Sequence, residues 1–184
     1  MTAVVSGALR GSIRWAIVPY SPQPPFRLYA GEEQAPIVVT DAERIIAGAR
    51  KEGGDVELTY LVPAKVRPVL ILSDPPSAHH RELTALRLLR LSKLSPEARE
   101  EVRQGQDRLF LYLPRERFGF REENAAMVSA MVRLHTDAIG HGPSLGRIDD
   151  DEMRELGERI IDFYGFDTRR LLDRRIRELA ARRR

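Results

Sequence analysis

The chain has 184 residues and a mass of 20.9 kDa, the size of one compact domain with room for an insertion or a tail. Its 42% hydrophobic content supports a core and excludes global disorder, no apolar run reaches the roughly 20 residues of a membrane span, and the lack of cysteine excludes disulfides, zinc ribbons and thiol nucleophiles. The net charge of +3 is modest, but 27 of the 30 basic residues are Arg and only Lys51, Lys65 and Lys93 are Lys.

The opening MTAVVSGALRGSIRW lacks the long apolar stretch of a secretory signal, so a cytoplasmic protein is expected. In Gly11 to Tyr20 (GSIRWAIVPY), Ile13, Trp15 and Ile17 alternate with Ser12, Arg14 and Ala16, the period of a half-buried strand. The prolines of SPQPPF make a loop. Ile37 to Thr40 reads as a short strand. Asp41 to Arg50 reads as a short helix capped by Asp41 or Thr40 and broken by Lys51 to Gly54. Val56 to Val62 (VELTYLV) is the next strand. Arg67 to Ser73 (RPVLILS) is the most apolar one, and Pro63 and Pro68 put its start at an edge or a strand beginning.

The leucines of Leu83 to Leu91 (LTALRLLRL) fit either period, but the flanking strand patterns favour a strand. Ser95 to Gln104 (SPEAREEVRQ) starts a helix with Ser at the cap and Pro behind it. Arg108 to Leu113 (RLFLYL) is a strand, Phe120 to Glu123 a turn, and Met127 to Asp137 (MVSAMVRLHTD) a further strand. Asp149 to Tyr164 is a helix with an acidic first turn and one stripe of Met153, Leu156, Ile160 and Tyr164. A last helix is expected from Thr168 through Leu179. Residues 168–184 hold eight Arg against Asp173 and Glu178, a local +6, so the rest of the chain sums to −3. Such a field attracts nucleic acid, anionic membranes or acidic proteins without choosing among them. Short strands first and strong helices late read as α+β with a small barrel-like sheet.

Few residues point to chemistry by themselves. His79 and His80 are adjacent, would face opposite sides of a strand, and belong to no metal-ligand spacing, so no metal is expected there. His135, Asp137 and Arg133 share a period-two face, the arrangement of an imidazole steered by a carboxylate, although a polar outer strand face is the commoner role. The glycines of GHGPSLG lack the context of a phosphate loop. Arg67 stands where a loop enters a buried strand. A guanidinium there keeps its charge and can grip a phosphate with two parallel hydrogen bonds, or it can be structural.

Several segments, in order, resemble the PemK/MazF-like family of toxin–antitoxin ribonucleases. They are GSIRWAIVPYSP, KVRPVLILS, LLRLSKL, RLFLYLP, ENAAMVSAMVRLHTDAIG and LGRIDDDEMRELGERI, together spanning Gly11 to about Tyr164 except Gln23 to Asp55. The resemblance implies an SH3-like β-barrel over 1–167; the insertion over 23–55, with its own short helix, and the basic helical extension over 168–184 are additions to the family core. It implies a homodimer, an antitoxin partner, single-stranded RNA as substrate, no cofactor and no membrane. Cleavage would run without metal, through attack of the ribose 2′-hydroxyl on the adjacent phosphorus.

In that reading Arg67 matches the family's functional Arg and Ser92 its phosphate-binding hydroxyl residue. Lys65 and Lys93 flank the two as substrate contacts, with Ser12 and Arg14 on the opening strand. His135 and Asp137 are the alternative acid/base pair. The chain departs from the family pattern in carrying Arg90 where Pro is usual, Ser92 where Thr is commoner, and a long segment in place of the first loop. A non-catalytic binder on the same fold, like the gyrase-inhibiting CcdB toxins, and an inactive regulatory homologue are the alternatives.

Overall fold

The computed structural model describes residues 9–21, 26–30, 37–39, 46–47, 58–75 and 81–166. The chain divides into two compact units, one of Met1–Ala16 with Arg67–Arg184 and one of Ile17–Val66. The protein is α+β, and its main sheet is antiparallel, six-stranded and curled into a half-barrel.

That sheet contains β1 (Ser12–Pro19), β5 (Ala64–Ile71), β6 (Glu82–Arg90), β7 (Phe110–Leu113), β8 (Asn124–His135) and β9 (Gly146–Arg147), in the spatial order β7-β8-β6-β5-β1-β9. The Ile17–Val66 unit holds a second, three-stranded sheet. In it β2 (Phe26–Ala30) lies between β3 (Ile37–Val39) and β4 (Leu58–Tyr60), antiparallel to both. The strand β2 is not legible as one in the sequence, because it directly follows the prolines read as loop. Of the helix expected over Asp41 to Arg50, Ile46 and Ala47 are helical and the rest lies outside the described residues.

Three helices accompany the main sheet: α1 (Pro96–Arg103), α2 (Arg115–Phe118) and α3 (Asp150–Tyr164). The Ser95 hydroxyl caps α1 by accepting from the Ala98 N–H at 3.2 Å, as its sequence predicts. Asp149 caps α3 in a reciprocal box: its carboxylate accepts from the Glu152 N–H, and Glu152 accepts from the Asp149 N–H, each at 2.8 Å. The expected strand Leu83 to Leu91 lies, apart from Leu91, in β6, which pairs with both β5 and β8.

The core lies between the sheet and α3. It joins Ile13, Leu70, Leu86, Leu88, Leu113, Phe118, Val128, Ile148, Met153 and Leu156. Burying a side chain such as Leu156 contributes about 2 kcal/mol. Gly146 is held at φ 155°, and a Cβ there would stand 2.6 Å from the Phe118 ring, so β9 can close on the core only with glycine at this position.

Two expectations about faces fail. In β1, Ile13 is buried but Trp15 and Ile17 are 47% and 53% exposed, whereas Ala16 and Val18 point inward. The alternation changes phase where the strand changes partner: Ile13 pairs with Gly146 of β9, while Ala16 bridges Ile139. In α3, Tyr164 leaves the apolar stripe and is exposed, while Arg159 is buried at 6% exposure. The Arg159 guanidinium donates to the carbonyl oxygens of Asp107 and Phe110 and pairs with Glu155. It thereby helps to satisfy main-chain acceptors at the start of β7.

Candidate functional site

An open cleft of about 420 Å³ lies at the end of β6 within the larger unit. It is lined by Leu91, Ser92, Arg99, Arg103, Arg115, Glu116, Arg121, Glu122 and Glu123. The local sequence explains its walls. β6 stops at Arg90, and Leu91–Lys93 forms one turn of 3-10 helix whose Leu91 is buried. The Ser95-Pro96 start of α1 follows at once and places Arg99 and Arg103 above the turn. The opposite wall comes from α2, which Gly119 ends in a left-handed conformation, and from the connection into β8.

Within the cleft the Ser92 hydroxyl donates to Glu122 Oε2 at 2.6 Å, and Arg90 Nη1 approaches Glu122 Oε1 at 3.1 Å. Arg103 grips Glu123 with two bonds, 3.2 Å from Nε and 2.6 Å from Nη2, and the Tyr112 hydroxyl donates to the same carboxylate. These donors hold the Glu123 carboxyl below its ordinary range, with Arg103 the larger cause. Burial, and then the bond to Glu123, pushes the Tyr112 phenol up to about 12. Arg103 and Glu123 therefore neutralise each other.

Two other arginines are differently placed. Arg99 donates to the carbonyl oxygens of Leu94 at 3.0 Å and Ser92 at 3.4 Å, so its guanidinium is positioned by neutral groups. Arg121 makes no hydrogen bond or ion pair among the described residues. The cleft thus presents a hydroxyl, a carboxylate hydrogen-bonded to it, and two cations with no carboxylate partner among the described residues. Such a set can bind a phosphate oxyanion and accept a proton beside it.

Of the residues singled out in the sequence, Ser92 lines this cleft and Lys93, next in the turn, is exposed. Arg67 is half-buried on β5. The β5–β6 pairing closes with Val69 opposite Arg87, and both Arg67 and Ser92 lie beyond that pair. Lys65 belongs to the Ile17–Val66 unit, where its ammonium stands 5.5 Å from the centre of the Tyr20 ring.

Ser12 is a correction. It is only 3% exposed, and its hydroxyl donates to the Leu9 carbonyl oxygen at 2.5 Å, so it tucks the chain entry against the core and cannot meet a substrate. Arg14 donates from Nη1 to the Gly142 carbonyl oxygen at 2.7 Å, and its buried Nε has no hydrogen-bond partner among the described residues.

The shared strand face of His135 and Asp137 is also corrected. β8 ends at His135, and Asp137 sits in a 3-10 turn over Thr136–Ala138. That turn brings His135 Nδ1 to 3.5 Å from Asp137 Oδ2, yet Nδ1 accepts the Asp137 backbone N–H at 3.3 Å. With Nδ1 accepting from the backbone, the neutral imidazole does not donate to the carboxylate from that nitrogen. Arg81 takes the Asp137 carboxylate at 3.3 Å, and Arg133 of the same expected face pairs with Glu82 at 3.3 Å. His79, His80 and the expected helix from Thr168 lie outside the described residues. Among the described residues no three His, Asp or Glu groups cluster as a metal ion requires. None of their helices is long and apolar enough to cross a membrane.

Sequence reasoning misses Arg99, Arg121 and Glu122. Arg99 reads as one position on a charged helix and the other two as a polar turn. Among so many arginines only the fold singles these out. The one usable signal is proximity in sequence, since the SPEAR segment begins three residues after Ser92. The chain matches no family model, and no curated protein matches it.

Proposed function

We propose that the protein is a metal-independent endoribonuclease of the toxin type, acting on single-stranded RNA at the Ser92 cleft. The observation that carries this reading is the Ser92–Glu122 hydrogen bond set beside Arg99 and Arg121 in a single cleft. The Glu122 carboxylate takes the proton from a ribose 2′-hydroxyl. The freed oxygen attacks the adjacent phosphorus, and the 5′-oxygen leaves with a proton from water. The products are a 2′,3′-cyclic phosphate and a 5′-hydroxyl. Arg99 and Arg121 stabilise the extra negative charge on the phosphorane, and the Ser92 hydroxyl turns from Glu122 to a non-bridging oxygen. Arg67 enters this reading through the sequence resemblance alone, as a further cation for the same charge. The resemblance likewise supplies the SH3-like barrel, the homodimer and the antitoxin partner.

A second reading is binding without cleavage. It is favoured by the pairing of Arg103 with Glu123, Arg115 with Glu116 and Arg90 with Glu122, which leaves the cleft little net charge. Incubation with defined single-stranded RNA in EDTA separates the two. The wild type is expected to leave cyclic-phosphate ends. Glu122→Gln is expected to slow cleavage about a hundredfold, the size of a lost general base. Intact RNA with the wild type ends the nuclease reading, and undiminished cleavage by Glu122→Gln removes Glu122 from the chemistry. Arg67→Ala in the same assay decides whether that residue belongs to the reaction.

A further inference from the structure

We propose that the C-terminal end of α3 is a stacking platform for single-stranded RNA, separate from the cleft and independent of whether the cleft cuts. Phe163, Tyr164 and Phe166 are 43%, 43% and 59% exposed. Their rings form a contiguous row: Phe163 meets Tyr164 edge-on at 4.9 Å between centroids, and Tyr164 lies 6.0 Å from Phe166 at an angle of 31°. The row is held in place. Gly165 turns left-handed at φ 65° and closes α3, the Gly165 N–H donates to the Asp162 carbonyl oxygen at 3.2 Å, and the Phe166 N–H donates to that of Ile161 at 3.1 Å.

Water-exposed rings in a fixed row offer faces on which unpaired bases stack, whatever their sequence. Charge is compatible with the same ligand. The stretch that begins two residues after Phe166 carries +6, while the remainder of the chain sums to −3. By sequence, the net attraction for a polyanion therefore comes from residues 168–184, and aromatic rings combined with arginines form the usual pairing for single strands. A lipid surface fits less well. Sinking the rings into it would carry along the exposed Asp162–Arg108 ion pair, 3.0 Å apart, whereas a stacked base leaves that pair in water.

The test is anisotropy of a labelled, 2′-O-methylated oligouridylate with the full-length chain. That probe has no attacking hydroxyl, so binding is read apart from cleavage. Phe166→Ala and Tyr164→Ala are each expected to weaken binding on the order of tenfold, with the salt dependence unchanged. Replacing Arg169 and Arg170 by Ser is expected to flatten the salt dependence, by about 0.7 in slope for each phosphate no longer neutralised. A duplex of the same length should not respond to Phe166→Ala, because its bases are already stacked. Wild-type affinity in both ring variants overturns the proposal. So does equal, ring-dependent binding of polyglutamate or of anionic phospholipid vesicles. Loss of self-association in Phe166→Ala, with RNA affinity unchanged, overturns it as well and makes the rings an interface between copies.

Discussion

Arg159 and Arg99 are both helix arginines gripped by main-chain carbonyl oxygens, yet their surroundings give them opposite capacities. Arg159 is buried, donates to Asp107 and Phe110 from Nη1, and pairs with Glu155 through Nη2, so both ends of its guanidinium are engaged inside the protein. Arg99 stands half-buried at the rim of the cleft with two carbonyl partners and no carboxylate among the described residues. The first is used up in closing the start of β7. The second is aimed but not neutralised, which suits it to an anion arriving from solution. Residue type and helical position are shared, and the difference comes from what the fold packs around each.

The largest expected effect tests the buried member. Arg159→Met should destabilise the protein by about 3 kcal/mol, because the Asp107 and Phe110 carbonyl oxygens each lose a charged donor and the pair with Glu155 goes with it. Urea unfolding measures it. A loss under about 1 kcal/mol would mean that water replaces the guanidinium, and the contrast with Arg99 would collapse.

Arg99→Ala sharpens the other side. Stability should change little, since the residue is half-exposed, while affinity for a single-stranded RNA probe falls about tenfold and its salt dependence weakens. Anisotropy across a salt series reads both quantities. A variant that loses stability instead shows that Arg99 is a second Arg159.

The smallest effect concerns the paired side of the same cleft, where Arg103 and Tyr112 share Glu123. The folded state pushes the Tyr112 phenol up to about 12, above its ordinary value of 10. The folded protein therefore keeps this proton where the unfolded chain gives it up. The resulting stability is whole below about pH 10 and is lost as pH rises towards 12. Urea midpoints across this range should fall more steeply for the wild type than for Tyr112→Phe, whose loss at neutral pH should be about 1 kcal/mol. Parallel curves would show that the hydroxyl contributes nothing to holding Glu123.

Some of this is legible in the chain because it is written locally. Ser95-Pro96 starts α1 and Asp149 starts α3, since a cap needs only its own next three residues. The apolar Val69 to Ile71 run is buried on both faces as its composition suggests, but the strand lies between β6 and β1 with Pro68 inside it, whereas the prolines point to an edge or a strand beginning. Ser92, marked only by the family resemblance, is among the residues lining the cleft. Its partner Glu122 is not legible, because the two meet across thirty residues of chain. The phase of β1 escapes the sequence for a related reason. Alternation shows that one face is buried, but a change of partner between Ile13 and Ala16 decides which face that is.

The sequence by itself determined the α+β class, the helix starts, the apolar strands and the separation of charge between body and tail. Each depends on neighbours within a few residues, where propensity and periodicity act. Tertiary structure alone decided which arginines are consumed inside and which line the cleft, why Ser12 is shut away, and how His135 meets Asp137 through a turn rather than along a strand. Those outcomes depend on which distant carbonyl or carboxylate reaches a side chain first, and no local pattern carries that information.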